Sequence, residues 1–383
     1  MYSLYNNISV RNLKEYYTIG SNLHFLSQEF KSLPNRNIFS SFLKILDNHI
    51  DEIFDLSLDY IKKFLKLEYE KLFCDGTIFE AHNNRHKIIT DTNVNRSNKK
   101  WENVLNTPKS TEELKELAKK KLELNIQREQ KLKELNRTSY GRTDEDCVIL
   151  KDKNGAFIAG YNVQFFEEGK YGFIVYYYIS NKNPDSAAFM DIIDPLNSKY
   201  HPKIIILDAG YGTPEIILKL HQLNIDTIVK TVKNENSKKT ITDYSFELSD
   251  NEDYLTCPVG QVLQKKKIKS DGSITFKTNN CGSCERKKEC LKKAKNKSIT
   301  INLKEFKAMK LADKTVNSEL GKEVYSHRGN ICESPHGFIK YNLNGKKLKM
   351  NGLKRNNTIV ALYAILYNFR RLISINMNID KND

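Results

Sequence analysis

The sequence has few of the features that mark membrane, secreted or nucleotide-driven proteins. No uninterrupted apolar run approaches the roughly 18 residues of a membrane span, so we expect no membrane association. The first seven residues lack the basic-then-apolar layout of a signal peptide, and we expect a cytoplasmic protein. The chain has neither a P-loop nor a Rossmann glycine fingerprint, which argues against a nucleotide-driven motor. The 8 histidines show no obvious ligand spacing.

Acidic residues are in the minority. The chain has 47 Asp and Glu against 62 Lys and Arg, a net charge of +15 at pH 7. Basic charge drives phosphate binding through counterion release, so the excess favours a nucleic-acid partner. A generally Lys-rich host composition would produce the same excess and is the alternative. With 383 residues, 39% of them hydrophobic, we expect a sizeable core and two or three domains or large insertions.

Apolar spacing predicts the domain organisation. Residues 1–67 form a helical N-terminal region, because apolar residues recur there at three- and four-residue spacing. Residues 68–249 and 301–375 form an α/β core with a mixed sheet. A charged helix at about 108–138 and a Cys-containing segment at 250–300 are inserted into this core. The charged helix is either a solvent-facing arm or one that contacts DNA or a second copy of the chain.

Period-2 and continuous apolar patterns predict the strands of this core. They cover residues 72–80, 156–166, 171–179, 203–207 and 225–230. Residues 167–170 have the composition of a hairpin turn between the second and third strands. The short continuous run at 203–207 predicts a central strand, because only a strand covered on both faces needs no polar side. Helices are expected from residue 184 to 196 and from residue 213 onwards.

Two aspartates follow segments that are predicted to be strands. Asp75 follows residues 71–74, and Asp208 follows residues 203–207 and precedes Ala-Gly-Tyr-Gly. A lone buried carboxylate is costly, so an acid at a strand tip must be hydrated, paired or bound to a cation. Ligands usually bind at the carboxyl ends of strands in α/β sheets, and carboxylate oxygens suit Mg²⁺ or Mn²⁺. Asp75 as part of an Asp-Gly turn and Asp208 as a helix cap are the structural alternatives.

Four of the seven cysteines are clustered. Cys257, the pair Cys281 and Cys284, and Cys290 lie within the inserted segment. In a cytosolic chain such spacing favours a metal over disulfides, and four thiolates suit tetrahedral zinc. Reduced structural cysteines are the alternative. The remaining cysteines are interpreted as strand or core residues, namely Cys74, Cys147 and Cys332.

Four motifs occur in a fixed order along most of the chain. They are Asp75-Gly76-Thr77, Gly-Tyr-Asn-Val-Gln at 160–164, Asp-Ala-Gly-Tyr-Gly at 208–212, and Tyr325, Arg328, Glu333 and Lys340. Together they resemble the DDE transposases of bacterial insertion sequences, in the group with the Tyr-Arg-Glu-Lys signature. The resemblance runs from about residue 38 to residue 372. Four residues separate Arg328 from Glu333, one more than in the tightest form of the signature.

The resemblance implies a function and a set of site residues. It implies an RNase H-like core in which Asp75, Asp208 and Glu333 are catalytic and bind two Mg²⁺ or Mn²⁺ ions. Tyr325, Arg328 and Lys340 would hold transposon-end DNA. The family also implies a homodimer that bridges two DNA ends and, in a bacterium, a location at the nucleoid. The cysteine segment resembles the Cys-rich insertion common in such transposases. An inactive DNA-binding relic and a metal-dependent nuclease are the alternatives.

Overall fold

A computed structural model describes residues 36–152, 155–182, 184–230, 243–291 and 294–379. The helices that the sequence predicts before residue 36 lie outside the described residues. The described helices are α1 (Arg36–Lys62), α2 (Asp91–Asn106), α3 (Glu112–Glu134), α4 (Asp185–Tyr200), α5 (Pro214–Gln222), α6 (Lys287–Cys290), α7 (Leu303–Asn317), α8 (Glu319–Gly337) and α9 (Leu353–Ile379).

The strands follow in chain order. They are β1 (Lys71–Glu80), β2 (Ile88–Thr90), β3 (Ser139–Gly141), β4 (Val148–Lys151), β5 (Phe157–Glu168), β6 (Ile174–Ser180), β7 (Ile204–Leu207), β8 (Asp226–Val229), β9 (Glu247–Leu248), β10 (Tyr254–Thr256), β11 (Val262–Ile268), β12 (Ile274–Lys277) and β13 (Ser298–Ile301). All five strands that the sequence predicts for the core are present as β1, β5, β6, β7 and β8, within a few residues of the expected bounds.

The chain divides into two compact units. Unit one comprises the described parts of Met1–Leu67, Gly76–Ala188 and Cys332–Asp383. Unit two comprises the described parts of Glu68–Asp75 and Phe189–Ile331. Strand β1 contributes its first residues to unit two and its last residues to unit one. The domain boundaries expected from the sequence stay a prediction.

Unit one is built on the β5–β6 hairpin and two long helices. Helices α1 and α9 pack against each other, and α9 also packs against β6. Asn368 of α9 is fully buried and fixes this contact, because its side chain donates to Ile174 O at 2.7 Å and accepts from Ile174 N at 2.9 Å. The amide thus satisfies backbone groups of β6 as a further strand would, which avoids the cost of leaving them unpaired in the core.

The charged helix α3 begins as the sequence predicts. Its N-cap Thr111 accepts a hydrogen bond from Leu114 N. The helix lies against α2, a helix that the polar sequence of residues 83–100 did not predict. Asn125 is 1% exposed at their contact and donates to Ser97 and to Asn98. Helix α3 is therefore half of a helical hairpin with a polar seam.

The large sheet is mixed. In unit two β7 lies between β1 and β8, and both pairs are parallel. In unit one β5 pairs antiparallel with β4 and β6. The hydrogen-bonded order along the sheet is β4-β5-β1-β7-β8, with β6 also paired to β5. The central position of β7 confirms the interpretation of its continuous apolar run.

Unit two also contains a second, smaller sheet. It is antiparallel in the order β13-β12-β11-β10-β9 and includes most of the segment that holds the clustered cysteines. Its core consists of buried apolar side chains, namely Phe246, Leu255, Leu263, Ile274, Phe276, Ile299, Ile301 and Phe306. The last of these belongs to α7, which also packs against α5 and β8.

Helix α9 has the length and composition of a membrane span. The stretch Leu353–Asn376 is long enough to span a membrane and its mean hydropathy is high enough, although polar residues interrupt its apolar ones. Within its most apolar window, 61% is buried inside the protein. The core helix of a soluble protein passes the same test, so the feature is weak evidence for a membrane location.

Candidate active site

Asp208 lies at the carboxyl end of the central strand, as the sequence predicts. It directly follows β7, and its carboxylate accepts a hydrogen bond from Ala209 N at 2.8 Å at the start of a short 3₁₀ turn, Ala209–Tyr211. The side chain is 47% exposed. Asp208 is therefore a cap, the structural alternative raised by the sequence, and its carboxylate also remains accessible.

Asp75 is placed differently from the expectation. The interpretation that it ends a strand is wrong, because β1 continues without a turn from Lys71 to Glu80 and Asp75 lies near its middle. The pairing with β7 nevertheless ends just before it, at Cys74 opposite Leu207. One residue further along this parallel register, Asp75 faces Asp208. Side chains at matching positions of neighbouring strands project to the same face, which brings the two carboxylates together.

Arg328 of α8 contacts both carboxylates. Its Nη2 lies 3.0 Å from Asp75 Oδ1 and 3.5 Å from Asp208 Oδ2. The side chains of Arg328 and Asp75 are only 15% and 11% exposed. Two neighbouring carboxylates repel each other, and the positive charge of Arg328 offsets this repulsion.

Tyr325 lies one helical turn before Arg328, on the same side of α8, as the three-residue spacing predicts. Its ring is half-buried, and the Nζ of Lys230 lies 4.5 Å from the ring centroid. Burial raises the pKa of the Tyr325 hydroxyl, and the charges of Asp208 and Asp75 raise it further, against an opposing effect of Arg328. The hydroxyl therefore stays protonated near neutral pH and can donate a hydrogen bond.

The two aspartates fit a divalent cation by their chemistry and by their surroundings. Both are oxygen donors of the kind that Mg²⁺ and Mn²⁺ prefer, and both already face one cationic group, the Arg328 guanidinium. Within the described ranges, however, no group of three or more His, Cys, Asp or Glu side chains is close enough to hold a metal ion.

Glu333 and Lys340 belong to unit one. Glu333 is exposed on α8, which continues past Pro335 to Gly337 instead of starting again there. The chain then changes to a single π-helical turn, Phe338–Asn342, which carries Lys340. Lys340 is therefore not two regular helical turns beyond Glu333, because a π turn changes the rotation per residue. Its Nζ lies 5.7 Å from the Phe79 ring centroid, beside an open cleft of about 520 Å³.

The Gly-Tyr-Asn-Val-Gln motif of β5 has a structural role in unit one. A Cβ on Gly160 would lie 2.5 Å from the carbonyl oxygen of Phe79, so only glycine fits beside β1. The buried Tyr161 hydroxyl donates to Asp144 Oδ1 at 2.7 Å. Gln164 Nε2 donates to Asn162 Oδ1 at 2.7 Å. The first two contacts join β5 to β1 and to the loop after β3, and the third lies within β5.

The four clustered cysteines lie around one small pocket of unit two. Cys257, Cys281, Cys284 and Cys290 all line a space of about 30 Å³. Gln261 N lies 3.2 Å from the Sγ of Cys257, and Lys297 N lies 3.4 Å from the Sγ of Cys281. All seven cysteines are free thiols, and Cys74, Cys147 and Cys332 are fully buried, as predicted for core residues.

Sequence reasoning missed Lys230. This exposed residue directly follows β8, and the register of β8 with β7 ends at Val229 opposite Leu207. Lys230 is therefore the residue that the same register, continued by one position, would set beside Asp208. The sequence does indicate its position, since residues 225–230 are predicted to form a strand that ends in this lysine. Its ring partner, Tyr325, could not be read from the sequence.

Comparison with known proteins supports the last of the four motifs. Residues 256–373 match the family model described as "Transposase DDE domain". A search of curated proteins found no match. The family match covers the segment that holds Tyr325, Arg328, Glu333 and Lys340, and DDE transposases are enzymes that cleave and transfer DNA. Over these residues, less than a third of the chain, the sequence is similar to the DDE domain of transposases.

Proposed function

We propose that this protein is a DNA transposase of the bacterial group with the Tyr-Arg-Glu-Lys signature, with an RNase H-like core that cleaves and transfers element-end DNA. One observation carries the proposal: Asp75 and Asp208 face each other across β1 and β7, with Arg328 within 3.5 Å of both. An acidic pair at a sheet edge, beneath a helix that presents arginine and tyrosine, suits phosphodiester chemistry in a protein of net charge +15.

Three carboxylates have the catalytic role in this proposal. Asp75 and Asp208 are held by the strand register, and Glu333 is the exposed acid of α8. When bound, two Mg²⁺ or Mn²⁺ ions supply charge that activates the attacking oxygen and stabilises the leaving oxygen. Asp75 and Asp208 would hold these ions through their oxygens, and the resemblance assigns the same role to Glu333.

The signature side chains would bind the DNA backbone. Arg328 has the planar fork that suits a bidentate phosphate contact, and Lys340 provides a point charge. Tyr325 has a protonated hydroxyl that can donate to a phosphate oxygen, because its pKa is raised. DNA is thus the partner in this proposal. Two copies of the chain would form a homodimer that bridges two DNA ends, at the bacterial nucleoid.

We also propose that the four clustered cysteines hold one structural zinc ion. Cys257, Cys281, Cys284 and Cys290 line the same pocket, and backbone N–H groups point at two of the sulfurs. Zinc-binding cysteine clusters use four sulfurs in this way, in tetrahedral coordination. Among the described residues the cysteines form no disulfide and no ready-made metal site, so zinc binding would draw the four sulfurs together and brace this part of unit two.

Cleavage of a DNA duplex that carries the element end tests the function. The purified full chain should cut this duplex with Mg²⁺ or Mn²⁺ and not with EDTA, and Asp208→Asn should abolish cutting while DNA binding persists. Cutting that is followed by no strand joining would indicate a nuclease. Binding without any metal-dependent cutting would indicate an inactive relic, and full activity of Asp208→Asn would contradict the assigned site.

A further inference from the structure

Three charged side chains form a row across unit two. Asp75, Asp208 and Lys230 are the next residues after the last paired positions of β1, β7 and β8, so the parallel register continued by one residue would set Asp208 between the other two. Matching positions on parallel strands project to the same face of a sheet. The row therefore runs from two carboxylates to one ammonium group along the same edge.

Helix α8 contacts both parts of this row. Arg328 lies against the two carboxylates, at 3.0 Å and 3.5 Å. Tyr325, one turn earlier, lies against Lys230, with 4.5 Å between Nζ and the ring centroid. One face of α8 thus contacts both the two acids and the lysine. A cation at this distance over an aromatic ring is attracted by the ring, which biases the orientation of the ammonium group.

The two cations, Arg328 and Lys230, differ in how accessible they are to a ligand. Arg328 is largely buried and contacts two carboxylates. Lys230 is exposed, and within the described part of the chain it forms no salt bridge. Asp208 is also partly accessible. An exposed, oriented ammonium beside two acids attracts an anion that approaches those acids, which is what a DNA phosphate would do.

We propose that Lys230 binds a backbone phosphate of the DNA engaged at Asp75 and Asp208, and that the ring of Tyr325 positions its ammonium group. The inference rests on the proposed function, since it assumes that DNA enters at these aspartates. It adds a cationic contact outside the Tyr-Arg-Glu-Lys signature. It also gives Tyr325 a second role, which depends on its ring and not on its hydroxyl.

Salt-dependent DNA binding tests the proposal without requiring catalysis. Affinity of the full chain for a short mixed-sequence duplex is measured in EDTA over a range of KCl concentrations. Lys230→Gln should reduce the slope of log affinity against log salt by about one unit, the value expected for one lost phosphate contact. Lys230→Arg should retain the slope. Lys203→Gln is the matched control, because Lys203 is an exposed lysine just before β7, at the opposite end of that strand from Asp208.

The role of the Tyr325 ring is tested in double variants. Lys230→Gln should still lower the slope in a Tyr325→Phe background, which retains the ring, and should have less effect in a Tyr325→Leu background. Equal slopes for wild type and Lys230→Gln, or an equal loss from Lys203→Gln, would overturn the proposal. A wild-type protein that binds DNA with the predicted Lys230 dependence but never cuts would overturn the transposase function and leave the Lys230 contact standing.

Discussion

Asp75 and Asp208 each directly follow the last residue by which β1 and β7 pair, Cys74 opposite Leu207. The parallel pairing of β1 with β7 just before them brings these two backbone positions close together. Arg328 lies within 3.5 Å of both. The guanidinium balances charges that would otherwise repel each other, and this has a measurable consequence for stability.

Arg328→Gln should destabilise the protein and increase its response to magnesium. Removing the cation leaves two adjacent carboxylates without this partner and should lower the free energy of unfolding by about 1–3 kcal/mol. The loss is no larger because Asp208 is partly hydrated. The midpoint of thermal unfolding in EDTA should fall by several degrees, at about 2–4 °C per kcal/mol. Added Mg²⁺ should recover more of the midpoint in the variant than it adds to wild type, because binding to the folded state stabilises it.

Arg355→Gln provides the control for this experiment. Arg355 pairs with Asp47 at 2.8 Å in unit one, and both side chains are mostly buried. Its loss should lower the unfolding midpoint to a similar degree without any gain in the response to Mg²⁺. An equal magnesium response in the two variants would show that Asp75 and Asp208 do not form a cation site.

Zinc removal should unfold or loosen the cysteine-bearing part of unit two. Protein made in zinc-supplemented medium should contain about one zinc per chain by elemental analysis, and chelation should lower its thermal stability. Cys281→Ser and Cys284→Ser should lose the metal. Cys147→Ser should retain it, because burial raises the pKa of the Cys147 thiol to about 12 and it lies apart from the cluster. Zinc-free wild type with rapidly alkylated cysteines would contradict the site.

Tyr161→Phe should destabilise unit one by about 1.5–3 kcal/mol, the usual value of a hydrogen bond to a charged group. The buried hydroxyl donates to Asp144 Oδ1, which also accepts from Gly352 N at 3.0 Å. Urea unfolding measures the change. Tyr363→Phe is the control, because burial alone raises the pKa of Tyr363, to about 12, and its loss should cost less. Equal losses would mean that the Asp144 bond adds nothing.

Glu168→Gln should change how stability depends on pH. Burial raises the pKa of the Glu168 carboxyl above its usual 4.5, although hydrogen bonds from Lys170, Tyr171 and Phe173 N–H groups oppose the shift. The folded state therefore binds the proton more tightly than the unfolded chain, and the free energy of unfolding falls as pH rises above 4.5 until the folded pKa is passed. The variant should lack this component in urea titrations at several pH values. An unchanged pH profile would contradict it.

Much of the local structure is determined by the sequence itself. The apolar run at 203–207 fixes a central strand, Thr213 and Pro214 start a helix, and the 167–170 turn follows from its composition. The spacing of Tyr325 and Arg328 fixes a common side of α8. Each of these depends on side-chain periodicity or turn chemistry over a few residues, which is why pattern alone predicts it.

Tertiary pairing decided what short-range patterns could not. The Asp-Gly pair at 75–76 has the composition of a turn, yet it lies within strand β1. The strand continues through this pair because β1 is hydrogen-bonded to β7 through its first residues and is also paired with β5. Lys230 became a candidate site residue only when the strand register placed it beside Asp208 and α8 brought Tyr325 to it. Side-chain identity determined which groups are available for chemistry, and long-range backbone hydrogen bonding determined which of them are neighbours.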